Sequence, residues 1–446
     1  MGHRFSKVAA LLVAGTLVAA TSVVTAAGAS TSGAARAKKG LPGVKGSLTI
    51  GVFNPFSGAT ASFGPLMMAG CVPAERLINQ NGGIYGHHVT CTPVDTRGDP
   101  VDAVPAANKL VATAHNLIMV IGPSSDEALA TVPIFQAAKV PMFPDAGNAA
   151  FDRSRYTYLW RLIPPDAATG VAMAIWAHKK GYKRGANIYT SAVGYGTGPA
   201  GIDAGFPAVG GKVVYRAVLT PNQPTYESTI TAMLAKNPQV IFYEAGPSTS
   251  ATFFSELKAL GHVLPTIGPE AIYEPQWDSA VSGVIGKSNL AKTVTIVEGF
   301  VTTAAKGFSV WKRALLGSAS QVKTASTYTT DPFALANYNA TNMVALAILV
   351  KHSVNTTVIN KTLNSIITPG KNKTVCNSYA QCKKAILQGK KIQYVGATGP
   401  VKLNKYHNAG GTYHVITDSL TPKSLGKIAG ADVVPVIEKA KITTTP

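Results

Sequence analysis

The chain has 446 residues, of which 46% are apolar and 14% charged, and it contains 43 glycines, 28 prolines and four cysteines. This length predicts about two or three domains, and the apolar fraction is too high for a disordered chain. Four cysteines are too few for a small disulfide-rich scaffold. The 41 basic and 21 acidic residues give a formal net charge of +20, which is compatible with a nucleic-acid partner, an anionic cell envelope or a solubilising surface.

The N-terminus has the three parts of a secretory signal peptide. Two basic residues precede an uncharged apolar stretch from Val8 to Val24, and Ala27-Gly28-Ala29 supplies the small residues that a signal peptidase recognises. We predict a signal peptide over residues 1–29 and a flexible leader over residues 30–46, which is rich in Ala, Gly and Ser. An uncleaved anchor is the alternative, but the 17 apolar residues are fewer than the ~20 of a membrane helix.

The sequence after the signal peptide predicts an exported protein without a lipid anchor. No cysteine lies near Ala29, so we expect no lipid-modified N-terminal cysteine. The longest later apolar run, from Met343 to Val350, has eight residues and is too short to span a bilayer. We therefore expect the protein in the periplasm or in the extracellular or cell-wall space.

The positive charge persists after cleavage, which leaves 39 basic and 21 acidic residues, a formal +18. Lys and Arg are scattered and form no basic stripe interleaved with aromatic residues, so we expect no nucleic-acid partner. An exported protein with this surplus can instead associate electrostatically with an anionic cell envelope.

Short β-branched runs alternate with amphipathic helical stretches from residue 47 onward. A first series comprises predicted strands over residues 47–53, 88–94, 117–121 and 140–143 and helices over 65–79, 100–113 and 127–138. A second series comprises helices over 169–180, 199–208, 226–236 and 248–260 and strands over 186–190, 212–218 and 239–243. The alternation is typical of βαβ units and predicts two α/β runs with mostly parallel sheets, joined near Pro164-Pro165.

The last third of the chain continues this alternation less regularly. A strand is predicted over residues 294–300, helices over 309–316 and 336–351, and a small antiparallel ending with Gly and Pro turns over 394–416. Residues after Thr417 are weakly patterned, so we expect them to form a peripheral tail.

The patterns that could indicate catalysis or a cofactor fail on their context. Residues 196–201 match G-x-G-x-x-G, but a dinucleotide site needs that motif directly after a strand and an acid about 20 residues later. Val214 to Thr225 contains no acid. The nine histidines show no H-x-x-x-H spacing, and no G-x-S-x-G motif occurs. We predict no cofactor, no metal site and no enzymatic activity.

The four cysteines form two local pairs. Cys71 lies in the first predicted helix and Cys91 in the strand expected beside it, and Cys376 and Cys382 are six residues apart in a polar segment. In an exported protein an even number of locally paired cysteines favours disulfides. We predict both disulfides, with buried free thiols as the alternative.

Several short motifs follow one another in a characteristic order. They are Gly51-Val52-Phe53-Asn54-Pro55-Phe56-Ser57-Gly58, Ile78-Asn79, Gly82-Gly83-Ile84, Asp99-Pro100, Ile121-Gly122-Pro123-Ser124-Ser125, Val140-Pro141, Tyr195-Gly196, Gly268-Pro269-Glu270 and Tyr394-Val395-Gly396-Ala397-Thr398-Gly399-Pro400-Val401. In this order they resemble type I periplasmic binding proteins of ABC transporters, in the branch that binds leucine, isoleucine, valine and related amides. The resemblance covers about residues 47–416.

The resemblance implies an α/β fold of two doubly wound parallel-sheet lobes, joined by a three-crossover hinge, with the ligand between the lobes. On this basis we assign lobe 1 to residues 47–165 and 299–385 and lobe 2 to residues 166–298 and 386–420. Residues 421–446 are then the C-terminal tail.

The resemblance also implies which lobe 1 residues contact the ligand. In the family the loop after the third strand holds an amino-acid carboxylate, and Ser124 and Ser125 occupy that loop here. The next loop is Asp145-Ala146-Gly147, with Gly147 where the family commonly has threonine, which departs from a standard carboxylate clamp. Phe63 lies in the first loop, where the family contacts the ligand side chain.

From lobe 2, Tyr195 matches the aromatic residue that covers the ligand, and Glu270 matches the acid that pairs with its ammonium group. The alternative for Glu270 is a solvated loop acid. Gly246 stands where many relatives have an aromatic contact. Fewer walls and the additional Asp145 suggest a larger, amide-bearing or more cationic ligand.

These expectations describe a monomeric, exported solute-binding protein. It would capture a small amino-acid-like or amide ligand and deliver it to the membrane permease of an ABC importer. One alternative is the ligand-binding component of an extracellular sensor with the same fold, and a second is an exported α/β enzyme.

Overall fold

The computed structural model describes residues 40–58, 61, 63–190, 198–273, 275–299, 303–419 and 422–440. The predicted signal peptide, the leader up to residue 39 and Tyr195 lie outside them. The strands are β1 Leu48–Asn54, β2 Val89–Asp95, β3 Leu117–Ser124, β4 Met142–Asp145, β5 Arg184–Thr190, β6 Lys212–Leu219, β7 Val240–Glu244, β8 Thr266–Pro269, β9 Val294–Gly299, β10 Lys373–Cys376, β11 Lys391–Tyr394, β12 Tyr413–Thr417 and β13 Ser424–Ile428. The helices are α1 Phe63–Gln80, α2 Pro100–Thr113, α3 Ser125–Ala137, α4 Asp166–Lys179, α5 Pro199–Ala208, α6 Glu227–Leu234, α7 Pro247–Ala259, α8 Pro275–Ile285, α9 Lys287–Thr293, α10 Lys306–Leu316, α11 Pro332–Lys351, α12 Thr356–Ile367, α13 Tyr379–Leu387 and α14 Gly430–Ala440.

The first lobe is built on the parallel sheet that the early strand–helix alternation predicts. Its strands lie in the order β2-β1-β3-β4, with Ile50 paired to Cys91 on one side and to Met119 on the other. Apolar side chains from both faces of this sheet enter two buried clusters, one with α1 and α11 and one with α2 and α3. The order of the strands reverses between β1 and β3, and open α/β sheets bind ligands at such a switch point.

The second lobe contains a larger mixed sheet in the order β13-β12-β9-β8-β7-β5-β6. The strands from β5 to β9 are parallel, whereas β12 runs antiparallel to both β9 and β13. One face packs against α4, α5 and α14, and the other packs against α6 to α9. The switch point of this sheet lies between β5 and β7.

The chain passes between the lobes in three segments, and the first and third of these run side by side. The Arg161 N–H donates to the carbonyl of His407 at 3.0 Å, and the Ala409 N–H donates to the carbonyl of Arg161 at 2.8 Å. The Trp160 ring stacks on the His407 ring with centroids 3.7 Å apart. The fully buried Arg161 guanidinium forms an ion pair with Asp152.

The leader and the C-terminal tail extend less far than the sequence indicates. Leu41 is buried in the core of the first lobe, and its N–H donates to His87 Nε2 at 3.2 Å, so the chain is already anchored to the first lobe at this residue. In the expected tail, β13 pairs with β12 and α14 packs on the second-lobe core. Antiparallel pairing with an edge strand of the sheet stabilises this weakly patterned segment. Local periodicity could not indicate that pairing.

The first lobe also continues beyond the predicted boundary at residue 385. β10 pairs in parallel with β11, so residues 391–394 still belong to the first lobe. Ile392 and Tyr394 of β11 are buried in the core of the first lobe.

Helix α11 forms the centre of the first-lobe core. By length and composition it is long and apolar enough to cross a membrane, yet Ala334 to Leu349 are all buried in the protein. The helix is longer than the apolar run that starts at Met343, since it also includes buried asparagines that precede this run. One of them, Asn339, accepts a hydrogen bond from the Ala397 N–H at 2.8 Å and so holds the Tyr394–Val401 motif.

Both predicted disulfides are present. Cys71–Cys91 joins α1 to β2 with a Cα–Cα distance of 6.1 Å, and Cys376–Cys382 joins β10 to α13 with a distance of 5.3 Å. All four cysteines are buried.

Gly201, the last glycine of the G-x-G-x-x-G segment, allows two helices to pack closely. A Cβ on Gly201 would stand 2.1 Å from the carbonyl oxygen of Ala167 in α4. A Cβ on Gly170 would likewise stand 2.2 Å from the carbonyl oxygen of Gly198. Close approach of α4 and α5 therefore explains Gly201 and Gly170 without a nucleotide.

Candidate ligand-binding site

The four strands of the first sheet lead to polar side chains at their carboxyl ends. Asn54 ends β1, Thr96 directly follows β2, Ser124 ends β3 and Asp145 ends β4. All four are buried. Because the carboxyl ends of parallel strands converge, this edge is where the lobe presents its ligand-binding groups.

Ser124 directs both of its hydrogen-bond donors to Glu127. Its backbone N–H donates to Glu127 Oε2 at 3.1 Å, and its hydroxyl donates to the same oxygen. The Thr96 hydroxyl donates to Glu127 Oε1. Ser124 thus ends β3 rather than lying in the loop after it, and its donors are engaged by a fully buried acid. Ser125 is the first residue of α3.

The first loop is shaped by Asp95 at the end of β2. Asp95 Oδ1 accepts hydrogen bonds from the N–H groups of Phe56 at 2.8 Å and Ser57 at 3.2 Å. The Ser57 hydroxyl donates to Asp95 Oδ2 at 2.5 Å. Phe63 begins α1 and is half-buried against the core of the first lobe.

Asp145 is a buried acid at the end of β4. It is 7% exposed, its Oδ1 accepts a hydrogen bond from Asn337 Nδ2 at 3.2 Å, and its Oδ2 has no hydrogen-bond partner among the described residues. Burial raises the pKa of Asp145 well above its ordinary value. Hydrogen bonds from Asn337 and Asn54 lower this pKa, and the charges of Asp331 and Glu127 raise it further.

Gly147 occupies a position that no larger residue can take while Asp166 keeps its place. A Cβ on Gly147 would stand 1.8 Å from Asp166 Oδ1. The Asp166 N–H donates to the carbonyl of Gly147 at 3.0 Å. A carboxylate therefore lies beside the position at which the resemblance implies a threonine hydroxyl. Ala146, between the two predicted site residues, is fully buried in the core.

In the second lobe, Glu244 ends β7 and Glu270 directly follows β8. Glu270 Oε2 accepts a hydrogen bond from the Gly299 N–H at 3.1 Å. A Cβ on Gly299 would stand 3.9 Å from Pro164 Cγ, and a Cβ on Gly411 would stand 3.5 Å from that atom. Glu270 therefore lies where the three crossover segments meet.

The acids of the two lobes are close enough for their charges to interact. Asp331, in the first lobe, caps α11 by accepting the Ala334 N–H at 2.8 Å. Burial raises the pKa of Asp331 to about 7, and the Glu270 charge from the second lobe contributes to this shift. Burial also raises the pKa of Glu270. For Glu298, burial and then the Glu270 charge raise the pKa to about 7.

The sequence analysis missed several of these residues, among them Glu127, Asp166, Asp331 and Asn337. Two of them carried a local signal. Ser124 and Glu127 have the spacing of a capping box, and Asp331-Pro332 is typical of a helix start. Asn337 carried none, because its role depends on contact with a residue 192 positions earlier.

The described part of the chain contains no group of three His, Cys, Asp or Glu side chains that could hold a metal ion.

The sequence profile of the periplasmic binding protein family matches residues 47–365. This chain belongs to the periplasmic binding protein family. Members of the family bind solutes without catalysis, so the prediction that the protein is not an enzyme is confirmed. The prediction of a two-lobed type I fold is also confirmed.

Several named proteins are similar in sequence to part of this chain. An amino acid binding protein of Pseudomonas aeruginosa is 27% identical over 208 residues, which are 45% of this chain and 55% of that protein. Other curated relatives are named Leu/Ile/Val-binding proteins. The chain spans between 54% and 63% of the length of the first three curated relatives.

Two solved structures share the fold. A leucine-binding protein of Thermotoga maritima superposes with a TM-score of 0.66 at 17% identity, over 86% of this periplasmic binding protein and 99% of that chain. A solute-binding protein of R. palustris in complex with benzoate gives a TM-score of 0.64 at 16% identity, over 86% and 98% of the two chains.

Proposed function

We propose that this periplasmic binding protein captures a small amino-acid-like or amide solute between its lobes and delivers it to the membrane permease of an ABC importer. The observation that carries the proposal is the position of Glu270. It directly follows β8 of the second lobe and accepts the Gly299 N–H at 3.1 Å where the crossover segments meet. A ligand that contacts Glu270 and the first lobe would connect the two lobes at the hinge.

The hydrogen-bonding character of the site supports a solute with N–H donors. Acceptor groups are present at the carboxyl ends of strands in both sheets, since Asp145, Glu244 and Glu270 end or follow their strands. The donors of Ser124 are bonded within the lobe. Ammonium and amide groups donate to such acceptors. Similar proteins are named for binding amino acids or leucine, and one was solved with benzoate. These ligands favour a small organic solute.

Closure of the lobes on the ligand would be the functional step. Crossover segments joining two rigid lobes permit hinge closure around a bound solute. A ligand drives closure only through contacts that the closed form makes better than the open form. Glu270 supplies such a contact, since it belongs to the second lobe and is bonded to the crossover at Gly299. The closed form would then be recognised by the permease.

A thermal-shift screen tests the proposal directly. The mature protein, refolded without ligand, is screened against amino acids, small amides, urea, polyamines and sugars. A solute at 100 times its Kd stabilises the folded state by ~2.7 kcal/mol, which raises the midpoint by a few degrees. Small-angle scattering of each hit measures closure as a smaller radius of gyration. Absence of both stabilisation and closure across the whole panel would contradict the proposal.

A further inference from the structure

Acidic residues are absent from one long segment of the chain. Between Asp331 and Asp418 the sequence contains no Asp or Glu, but it contains ten lysines. Six of these lysines fall in residues 371–391, which span β10, α13 and the start of β11. A large part of the formal +20 is therefore concentrated in one β-α-β unit of the first lobe.

The fold collects these lysines at one end of that unit. Because β10 and β11 are parallel, the helix between them runs in the opposite direction, and its last turn lies beside the first residue of each strand. Those first residues are Lys373 and Lys391, which are paired across the two strands. Lys384 lies in the last turn of α13, Lys390 directly precedes β11, and Lys371 lies two residues before β10. We call this surface the lysine end.

Two lysines of the unit neutralise the ends of neighbouring helices. Lys373 Nζ donates to the carbonyl of Thr368, directly after α12, at 2.7 Å. Lys383 Nζ donates to the carbonyls of Asn81 and Gly83, after α1, each at 2.7 Å. The C-terminal carbonyls of a helix carry partial negative charge, which a nearby ammonium group compensates. The other lysines of this end add positive charge beyond that need.

The remaining lysines have no acidic partner in the protein. Lys371, Lys384, Lys390 and Lys391 are exposed, and none of them takes part in the five ion pairs of the described residues. Partial burial lowers the pKa of Lys373, and the charge of Lys391 lowers it further. Like charges on paired residues of neighbouring strands repel one another. An anionic partner would relieve this repulsion.

An open groove of about 360 Å³ adjoins the lysine end and indicates the kind of anion. It is lined by Asn81, Ala380, Lys383, Lys384, Leu387 and Gln388. Leu387 is 41% exposed, and Val375 of β10 is 58% exposed. Cationic, amide and aliphatic groups together match a phospholipid, in which a phosphate lies next to polar and acyl parts. A polymer of phosphates would leave the aliphatic groups unused.

The lysine end lies on the side of the first lobe opposite the ligand site. Open α/β sheets bind ligands at the carboxyl ends of their strands. Helix α1 follows β1, so it begins at that edge and ends at the opposite one. Lys383 contacts the chain directly after α1. A surface docked there would leave the entrance between the lobes open.

We propose that the lysine end, with Leu387 and Val375, docks this periplasmic binding protein on a membrane surface of anionic phospholipid. Clusters of about four to eight basic residues bind anionic lipid headgroups, and neighbouring apolar side chains add to the attraction. Docking in this orientation would hold the protein at the membrane while its cleft takes up solute. The inference does not depend on which solute is bound.

Co-sedimentation with vesicles tests the surface. The probes are phosphatidylcholine vesicles with and without phosphatidylglycerol, in dilute buffer. A triple variant with Lys384→Gln, Lys390→Gln and Lys391→Gln should partition at least tenfold more weakly onto the anionic vesicles. Because these side chains are exposed, the variant should keep the thermal midpoint of the wild type.

A matched control separates this surface from net charge alone. Lys236→Gln, Lys287→Gln and Lys292→Gln remove three exposed lysines from the second lobe, so both triple variants have the same formal charge. The control should change the partitioning less than threefold. An equal loss in the two variants would overturn the inference, because binding would then follow net charge.

Leu387→Gln distinguishes a membrane from a soluble phosphate polymer. It should weaken partitioning onto the anionic vesicles about threefold, because burial of apolar surface contributes to binding. Its affinity for inorganic polyphosphate, measured by calorimetry, should equal that of the wild type. If the wild type binds polyphosphate but not the anionic vesicles, the lipid assignment is wrong. Equal partitioning onto vesicles without phosphatidylglycerol, or no binding to either probe, would also overturn the inference.

Discussion

The backbone N–H of Gly299 donates to Oε2 of Glu270 at 3.1 Å. This bond connects the acid that follows β8 to the residue at which the chain leaves the second lobe. A ligand cation that ionises Glu270 would strengthen the bond, because hydrogen bonds to charged acceptors are the stronger ones. We therefore expect ligand binding and hinge geometry to be coupled through this one carboxylate.

Glu270→Gln should weaken the ligand identified by the screen at least tenfold without unfolding the protein. The glutamine oxygen can still accept the Gly299 N–H, but the side chain no longer carries charge. Calorimetric titration measures the change, with Asp432→Asn as the exposed control. An affinity within twofold of the wild type would show that Glu270 is not a ligand contact.

Ser124→Ala should lower stability rather than affinity. The substitution removes the hydroxyl that donates to buried Glu127, and hydrogen bonds to charged groups contribute about 1.5–3 kcal/mol. Urea unfolding should show that loss, whereas ligand affinity should change less than threefold. Ser309→Ala removes an exposed hydroxyl of α10 and should leave both quantities unchanged. A large loss of affinity at unchanged stability would instead show that Ser124 contacts the ligand.

The ligand-free protein should lose stability as the pH rises from 5.5 to 8. Burial raises the pKa of both Asp331 and Glu298 to about 7 in the folded state, so that state binds more protons than the unfolded chain between their ordinary values and about 7. Stability falls with pH wherever the folded state binds more protons. Calorimetry should give a midpoint several degrees lower at pH 8, and Asp331→Asn should reduce the difference. A midpoint that is higher at pH 8 would contradict this assignment.

The two disulfides should contribute unequally. They close loops with sequence separations of 20 and six residues, for which the chain-entropy relation gives about 3 and about 2 kcal/mol. Paired Cys→Ala variants, measured by urea unfolding, should reproduce that order. A larger loss from the Cys376–Cys382 pair would mean that contacts of β10 and α13, rather than loop closure, dominate.

The mature protein should associate with anionic membranes at low salt. Its formal charge of +18 after removal of the predicted signal peptide favours vesicles that contain phosphatidylglycerol. Co-sedimentation should be strong in dilute buffer and lost by about 0.3 M salt, because screening shortens the reach of surface charges. Equal sedimentation with neutral phosphatidylcholine vesicles would contradict an electrostatic origin.

The sequence by itself determined the α/β character and most elements of the two lobes. The predicted helices over 100–113 and 199–208 coincide with α2 and α5, because Pro at the first turn and Gly or polar residues at the ends are local signals. The two disulfide pairs could also be predicted from the sequence, since each joins neighbouring elements. Motif order supplied the family, and with it the expected positions of Glu270 and Asp145.

Only the tertiary structure decided how those positions are used. Ser124 follows the expected strand, and the fold brings Glu127 onto its donors, while Thr96 donates to the same carboxylate. The interaction of Asp331 with Glu270 joins residues of different lobes. β13 forms because a sheet edge is available to pair with it. Periodicity reports which face of an element is buried, whereas the charge and the hydrogen-bonding partners of a cleft depend on contacts between distant segments.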